Sequence, residues 1–395
     1  MRILFVSIEY PPETPDGIGS YVSEVAPALV RRGHSVHVLS CLPGQADSDG
    51  VATGVHIHRR GELSLRALDH PRLEKTTARL RHALSCRVEV RRLGIPFDVV
   101  EVPDWMAEGL ALAFRRPAPL VVHLHTPLEV TSRYAGSRRT LDLRLASALE
   151  RRAARRADLI TSPSRRLLEE VGRSWLEGKE ARVVRLPISI GPEPEPADGT
   201  PPVVLCVGRL EPLKAPEFLI RAAAKLSSAH ELVFVGRATS RHDEEPYDEW
   251  LAGIVSQQGA RVRFAPQVPR TELRRLYLGA RVVAIPSGHE NFPYAGLEAL
   301  ALGRPVVCRA ANGLAELLAG SCAGSVVEDD QPKSFADALR PFLDDPGRAA
   351  AAGRQARALV ARHCDPDAIA AEREACYAAA ISLRRRYRSP SGMAA

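Results

Sequence analysis

The chain of 395 residues is longer than one ordinary hydrophobic core serves, so two domains of about 150–200 residues each are expected. Its 45% hydrophobic and 26% charged residues are globular composition, and the absence of any apolar run of ~18 residues excludes a membrane-spanning class. The net charge of +7 is not matched by interleaved aromatics, at only 5%, which argues against nucleic acid, and seven scattered cysteines without a C-x-x-C pair exclude a disulfide framework or thiolate metal site and fit a reducing cytoplasm.

The first segment, Met1-Arg2-Ile3-Leu4-Phe5-Val6-Ser7, is too short in its apolar part for a signal peptide and reads as a buried strand. After the rigid Pro11-Pro12 pair comes Asp16-Gly17-Ile18-Gly19-Ser20, opening a helix with Ser20 as its expected N-cap. Glycines there let backbone approach a ligand, and a helix N-terminus presents N–H groups to an anion. A lone G-x-G more often marks only a tight turn. It also lacks the third glycine of a dinucleotide fingerprint, so a nicotinamide enzyme is not supported.

Further strands are expected over Ser35–Leu39, Val55–His58, Val99–Val102, Leu120–His125, Leu159–Thr161 and Arg182–Arg185. Helices lie between them at Ser20–Arg32, Arg72–Arg92, Ala107–Phe114 and Leu141–Arg155. Strands alternating with helices imply βαβ units and a mostly parallel sheet. Strand alternation turns His123 and His125 to one face, with His125 at the carboxyl end, where open α/β sheets bind ligands. Eight arginines between Arg133 and Arg156 face only Asp142 and Glu150. Such a run is usually a solvated helix face, and its sharper readings are an anionic substrate or an anionic membrane surface.

The run 191–202, with Pro192, Pro194, Pro196, Pro201 and Pro202, excludes helix and strand and reads as a semi-rigid interdomain linker. A second series of strands follows at Val203–Val207, Glu231–Val235, Val262–Phe264, Val282–Ile285, Pro305–Cys308 and Gly324–Val327, with a last helix near Asp367–Arg386. After its first strand, Gly208-Arg209-Leu210-Glu211-Pro212-Leu213-Lys214 sends two cations out of one loop. That suits a diphosphate, Arg by its fork and Lys as a point charge, or equally two surface cations. Glu290 and Glu298 stand eight apart in the loop and helix after Val282–Ile285. Alone they read as a solvated loop carboxylate and a helix-dipole carboxylate. At a strand's carboxyl end they suit the hydroxyls of a sugar and a ribose.

Taken in order, these motifs resemble the retaining glycosyltransferases of family 4. They run from Pro11-Pro12 through Gly17 and Gly19 to Gly33-His34, then Gly208-Arg209-Leu210 with Lys214, Glu290 through Glu298, Gly303-Arg304-Pro305, and Asn312-Gly313-Leu314-Ala315-Glu316. The resemblance spans nearly the whole chain. It implies an α/β fold of two Rossmann-like doubly wound domains facing a cleft (GT-B). Residues 1–190 would form an acceptor-binding domain, 191–202 the linker and 203–365 the nucleotide-sugar domain. Residues 366–395 would form a helix packing back on the first domain, with a frayed tail. Arg209 and Lys214 would hold the diphosphate, Glu298 the ribose, and Glu290 the transferred sugar. Gly17 and Gly19 would bring amides to the phosphate, and His125 would bond the sugar's 6-hydroxyl and support the transition state. Pro293 stands where many relatives have glycine and has no N–H, which moves donor contacts to Asn291, Phe292 and Tyr294. The base would lie near Gly236-Arg237 and 263–268.

The implied chemistry is metal-independent, cofactor-free transfer of a hexose, UDP being the favoured nucleotide, with closure about the linker. The acceptor is the open end. A small hydroxylated acceptor such as a cyclitol or natural-product aglycone is preferred, with Asp16, Asp104, Trp105 and Glu129 as wall elements. A lipid-linked acceptor at the inner face of a membrane is the second reading, and a non-catalytic basic binding protein the third.

Overall fold

The computed structural model describes residues 1–11, 17–65, 70–114, 116–125, 127–192, 202–226, 229–242 and 245–388. The chain divides into two compact units, one of Met1–Pro187 with Pro366–Ala395, the other of Ile188–Asp365. The expected linker falls largely on 193–201, outside the described residues.

The first unit is an eight-stranded sheet, β1 (Arg2–Val6), β2 (Ser35–Leu42), β3 (Ser48–Ala52), β4 (Val55–Gly61), β5 (Val99–Pro103), β6 (Leu120–His123), β7 (Leu159–Ser162) and β8 (Ala181–Val183), in spatial order β3-β4-β2-β1-β5-β6-β7-β8. All pairs are parallel except β3 with β4. Its helices are α1 (Gly17–Arg31), α2 (Glu74–Leu93), α3 (Leu110–Phe114), α4 (Leu128–Tyr134), α5 (Leu141–Arg156), α6 (Arg165–Val171) and α7 (Arg173–Leu176). β5, β6 and β7 are buried at every position, so they read as apolar runs interrupted only by buried polar residues such as Glu101 and Thr161. α5 starts cleanly because Thr140 Oγ1 accepts from the Leu143 amide at 3.1 Å. Asp142, two residues on, accepts from the amides of Lys75 and Thr76, both at 2.9 Å, and so closes the otherwise unbonded first turn of α2. Two expectations change. α1 begins at Gly17, so Ser20 is a buried first-turn residue and not the cap. Ser48–Ala52 forms an exposed hairpin strand that no apolar alternation announces.

The second unit is a six-stranded parallel sheet of β9 (Val203–Val207), β10 (Glu231–Val235), β13 (Val262–Ala265), β14 (Val282–Ile285), β15 (Val306–Arg309) and β16 (Gly324–Val327), in order β13-β10-β9-β14-β15-β16. A small hairpin, β11 (Arg241–His242) with β12 (Glu245–Pro246), stands beside it. The helices are α8 (Pro216–Ala223), α9 (Tyr247–Gln258), α10 (Arg270–Gly279), α11 (Tyr294–Ala301), α12 (Leu314–Leu318), α13 (Pro332–Asp344) and α14 (Pro346–His363). Phe234, Leu219, Phe335 and Leu339, none more than 1% exposed, form part of its core. The order reverses direction at β9–β14, as it does at β1–β5 in the first unit. The loops at the carboxyl ends of these strand pairs therefore diverge and leave a crevice.

The last helix, α15 (Pro366–Arg388), packs against the first unit. Arg31 reaches Asp367 at 2.7 Å and Arg32 reaches Glu374 at 2.7 Å on its outer side. Arg384 donates to the Ala118 carbonyl at 2.6 Å beneath it. Such exposed ion pairs add little. The docking rests on Ile369, Ala370, Tyr377 and Ala380, all at most 1% exposed.

Candidate functional site

In the second unit, the loops after β9 and β14 meet at the switch in strand order. Lys214 Nζ donates to Glu290 Oε1, and Ser287 Oγ donates to the same oxygen at 2.9 Å. The backbone around Glu290 is fixed from two sides. The Gly288 amide donates to the Leu213 carbonyl at 3.1 Å, and the Gly313 amide donates to the Glu290 carbonyl at 2.9 Å. Asn312 pairs with Glu290 through a parallel bridge, and its Oδ1 accepts from the Leu314 amide at 3.0 Å. Asn312 and Gly313 thus hold the glutamate loop in place.

Arg209 points outward, with its side chain 56% exposed and Nη2 3.2 Å from Glu211 Oε1. Glu298 lies in the second turn of α11, and Tyr277 of α10 donates to its Oε2 at 3.0 Å. Asn291 and Phe292 are buried, Tyr294 is half-buried, and Pro293 caps α11. Gly208 and Gly236, with φ of 147° and 155°, let the loops after β9 and β10 run on in close parallel contact. A β-carbon on Gly236 would stand 2.0 Å from the Gly208 carbonyl oxygen. Beside them opens a cavity of about 510 Å³ lined by Gly236, Arg237, Ser240, Arg241, Phe264 and Ala265, among others. Tyr277 and the Gly208–Gly236 contact were not anticipated. A glycine directly after a strand in two successive βα units was the one visible sign of the contact.

In the first unit, Gly17 opens α1 at the surface and Gly19 is buried two residues on. The Ile18 amide between them donates to Glu9 Oε2 at 3.1 Å, and the Ile8 amide to Glu108 Oε1 at 3.0 Å. Asp16 lies outside the described residues. His125 is buried beyond the end of β6, and its amide donates to Asp104 Oδ1 at 2.5 Å. Asp104 is 0% exposed. It braces His125 from inside and cannot serve as a wall that an acceptor touches.

Trp105 is half-buried, with the Arg79 guanidinium 5.7 Å from its ring centre. Met106 and Ala107 after it adopt φ of 56° and 52°, a strained pair for residues with a β-carbon. Glu129 is engaged by Arg151 at 3.3 Å and the Trp175 indole at 3.4 Å. Burial first, then the charge of Arg373, hold His125 down at about 3, so its imidazole is neutral. A neutral ring bonds a hydroxyl but brings no positive charge to a transition state, which narrows the role expected of it.

The arginine-rich run is largely satisfied locally. Arg133 pairs with Glu170 at 2.8 Å and Arg155 with Glu177 at 3.1 Å, while Arg152 and Arg156 lie over Phe114. Among the described residues no helix is long and apolar enough to cross a membrane, and no group of three His, Cys, Asp or Glu is placed to hold a metal ion.

Residues 188–359 match the family described as glycosyl transferases group 1, and 15–190 match glycosyltransferase family 4. The chain is 30% identical over 406 residues to D-inositol 3-phosphate glycosyltransferase of Kineococcus radiotolerans, covering 90% of each. Its fold matches sucrose-phosphate synthase from Thermosynechococcus elongatus with a TM-score of 0.78 and 22% identity, covering 95% of this chain and 98% of that one. It also matches Anabaena Alr3699/HepE in complex with UDP-glucose with a TM-score of 0.70 and 21% identity, covering 96% and 99%. These likenesses fit two Rossmann-like α/β units of the GT-B type.

Proposed function

The chain belongs to the group 1 glycosyltransferases of the family 4 type, and on that premise we propose that it moves a hexose from a UDP-sugar to a hydroxyl of a small acceptor, with retention at the anomeric carbon. One observation carries this reading. Lys214 and Glu290 are joined at the crevice of the second sheet, with Arg209 exposed on the same loop as Lys214. A cation pair and a carboxylate at that spot suit a diphosphate on one side and sugar hydroxyls on the other.

In this reading Arg209 and Lys214 take the charge that develops on the leaving diphosphate, the electrostatic term that dominates such transfers. No step requires a metal. Glu298 accepts from the ribose, and the cavity at Gly236 and Phe264 receives the base. The neutral His125 bonds a sugar hydroxyl. Glu290, already paired with Lys214 and Ser287, is a poor nucleophile and serves to bind the sugar. The bond from the anomeric carbon to the diphosphate therefore breaks as the acceptor oxygen bonds on the same face. The acceptor's proton passes to the leaving phosphate oxygen. A product of inverted configuration would rule this route out.

The curated relative named for D-inositol 3-phosphate supports a small hydroxylated acceptor. The local pairing of Arg133 and Arg155 weakens the argument for a membrane-bound one.

The test is thermal unfolding with UDP, GDP, ADP and dTDP and their sugar conjugates, without added metal. A ligand at 100 times its Kd stabilises by about 2.7 kcal/mol. The reading expects a shift with UDP that disappears in Glu298→Ala. A folded sample that responds to no nucleotide would point to a non-catalytic binding protein.

A further inference from the structure

We infer that Arg373, on α15, is a positioning residue that orients the His123–His125 imidazole pair at the end of β6. The inference rests on the reading of His125 as the group that meets the sugar. Arg373 is 0% exposed. Taking an arginine wholly out of water costs several kcal/mol unless it is paired, and replacing a buried ion pair by apolar groups is often stabilising. α15 already docks through Ile369, Ala370 and Ala380, so the helix has no packing need for a charge there.

The guanidinium instead organises a polar cluster. Its Nη1 donates to Thr161 Oγ1 at 2.8 Å, and Thr161 Oγ1 is 2.9 Å from His123 Nδ1. Its Nη2 lies 3.0 Å from both ring nitrogens of His123, so it bears on the ring as a whole. Its charge is balanced by Glu101 at 3.6 Å, a carboxylate that also accepts from Tyr21 at 2.5 Å and Tyr377 at 2.7 Å. Tyr21 in turn packs on both imidazoles, with ring centres 4.8 Å from His123 and 5.3 Å from His125. The two imidazoles meet edge to face at 4.5 Å.

The ring of His125 is therefore walled by Tyr21 and His123, and Arg373 contacts both walls. Among the described residues, the ionisable groups around the pair include Tyr21 from α1, Glu101 from β5, Asp104 after it, and Arg373 and Tyr377 from α15. After burial, Arg373 is the first charge that disfavours protonation of either histidine.

The experiment compares wild type, Arg373→Met and Arg373→Lys by two readouts. In the apo protein with labelled histidine, the His123 and His125 resonances are assigned by His123→Gln and His125→Gln and followed from pH 5 to 8. Wild type should show both rings flat across this range. Arg373→Met should shift both and bring His125 into titration at the acid end, with Arg373→Lys between. The second readout is acceptor-free release of UDP from UDP-glucose. Arg373→Met should lower kcat about a hundredfold, the effect of a misplacement of roughly 1 Å, with KM within about twofold. Arg373→Lys should recover part of it.

Wild-type histidine resonances and unchanged kcat in a folded Arg373→Met protein would overturn the inference. If wild type releases no UDP without an acceptor, the resonances alone decide the positioning, and the functional reading is judged by the thermal shift with UDP. If Arg373→Met does not fold, Arg373→Lys keeps the charge but loses the fork that spans Thr161 and His123. Unmoved His123 and His125 resonances in that variant would equally overturn it.

Discussion

Tyr277 gives its one phenol hydroxyl to two acceptors, Glu298 Oε2 at 3.0 Å and the Ala295 carbonyl at 3.1 Å, and so ties α10 to the carboxylate on α11. Burial, then the Glu298 charge, hold the phenol well above its ordinary range, so it stays a donor. Removing it takes this hold off the Glu298 carboxylate. Tyr277→Phe should weaken UDP binding about tenfold, roughly 1.5 kcal/mol, by titration calorimetry. An unchanged Kd would mean that Glu298 needs no brace.

Arg209 and Lys214 should separate in their effects. Arg209 is 56% exposed, so Arg209→Met should leave stability within about 0.5 kcal/mol while reducing turnover about a hundredfold or more. Lys214→Met also strips a partner from Glu290, whose side chain is only 14% exposed, and should cost about 1–3 kcal/mol of folding free energy. Urea unfolding of both variants decides it, and equal stability losses would contradict the pairing.

The close contact of two loops at Gly236 predicts a sharp contrast between glycines. Gly236→Ala places a β-carbon 2.0 Å from a backbone oxygen at φ 155° and should destabilise by more than about 3 kcal/mol. Gly253→Ala, exposed on α9 with nothing within 4 Å, should stabilise by about 0.5–1 kcal/mol. Thermal midpoints of the two proteins should move in opposite directions.

His82 sets the alkaline side of the stability profile. It is 0% exposed, with Nδ1 3.5 Å from Glu62 and Nε2 3.8 Å from Glu108. Burial alone would lower its pKa, yet Glu108 and Glu62 outweigh burial and raise it from 6.5 to about 10. Its stabilisation is therefore complete below pH 6.5 and is lost as pH rises through about 10. His37 and His125, lowered to about 4 and about 3, act in the opposite sense. Their contribution is complete above pH 6.5 and is lost as pH falls towards those values. The difference in unfolding free energy between wild type and His82→Gln should shrink from pH 7 to 9.5, by at most about 1.4 kcal/mol per unit. A flat difference would show that His82 is neutral in the folded protein.

The sheets were legible because parallel strands buried on both faces are apolar runs in the sequence. β1, β6 and β14 fall within a residue or two of their expected spans. The hairpin strand Ser48–Ala52 was not, because every residue in it is exposed and nothing alternates. At the candidate site, the residues that meet ligand in this reading belong to short motifs at strand ends. The ones that hold them do not. Tyr277 lies 21 residues from Glu298, and Arg373 lies 250 from His123. No local pattern joins such pairs. One sign was available, since Arg373 interrupts the apolar stripe Ile369, Ala370, Cys376, Tyr377 and Ala380 at helical spacing. A charge on a core-facing stripe asks for a partner, and only the fold supplies it.

The unit that begins at Met1 ends with Pro366–Ala395, so the ribosome makes its first and last parts with the whole second unit between them. At about 5–20 residues per second, the emerging first half spends on the order of ten seconds or more without α15. During that interval Glu101 has no Arg373 to balance it, and the surface that receives Ile369 and Tyr377 faces water. Ile188–Asp365 is complete before its neighbour in the chain is, which inverts the usual order in which domains mature. Loss of α15 would therefore damage the unit whose first part is made earlier and spare the unit made between.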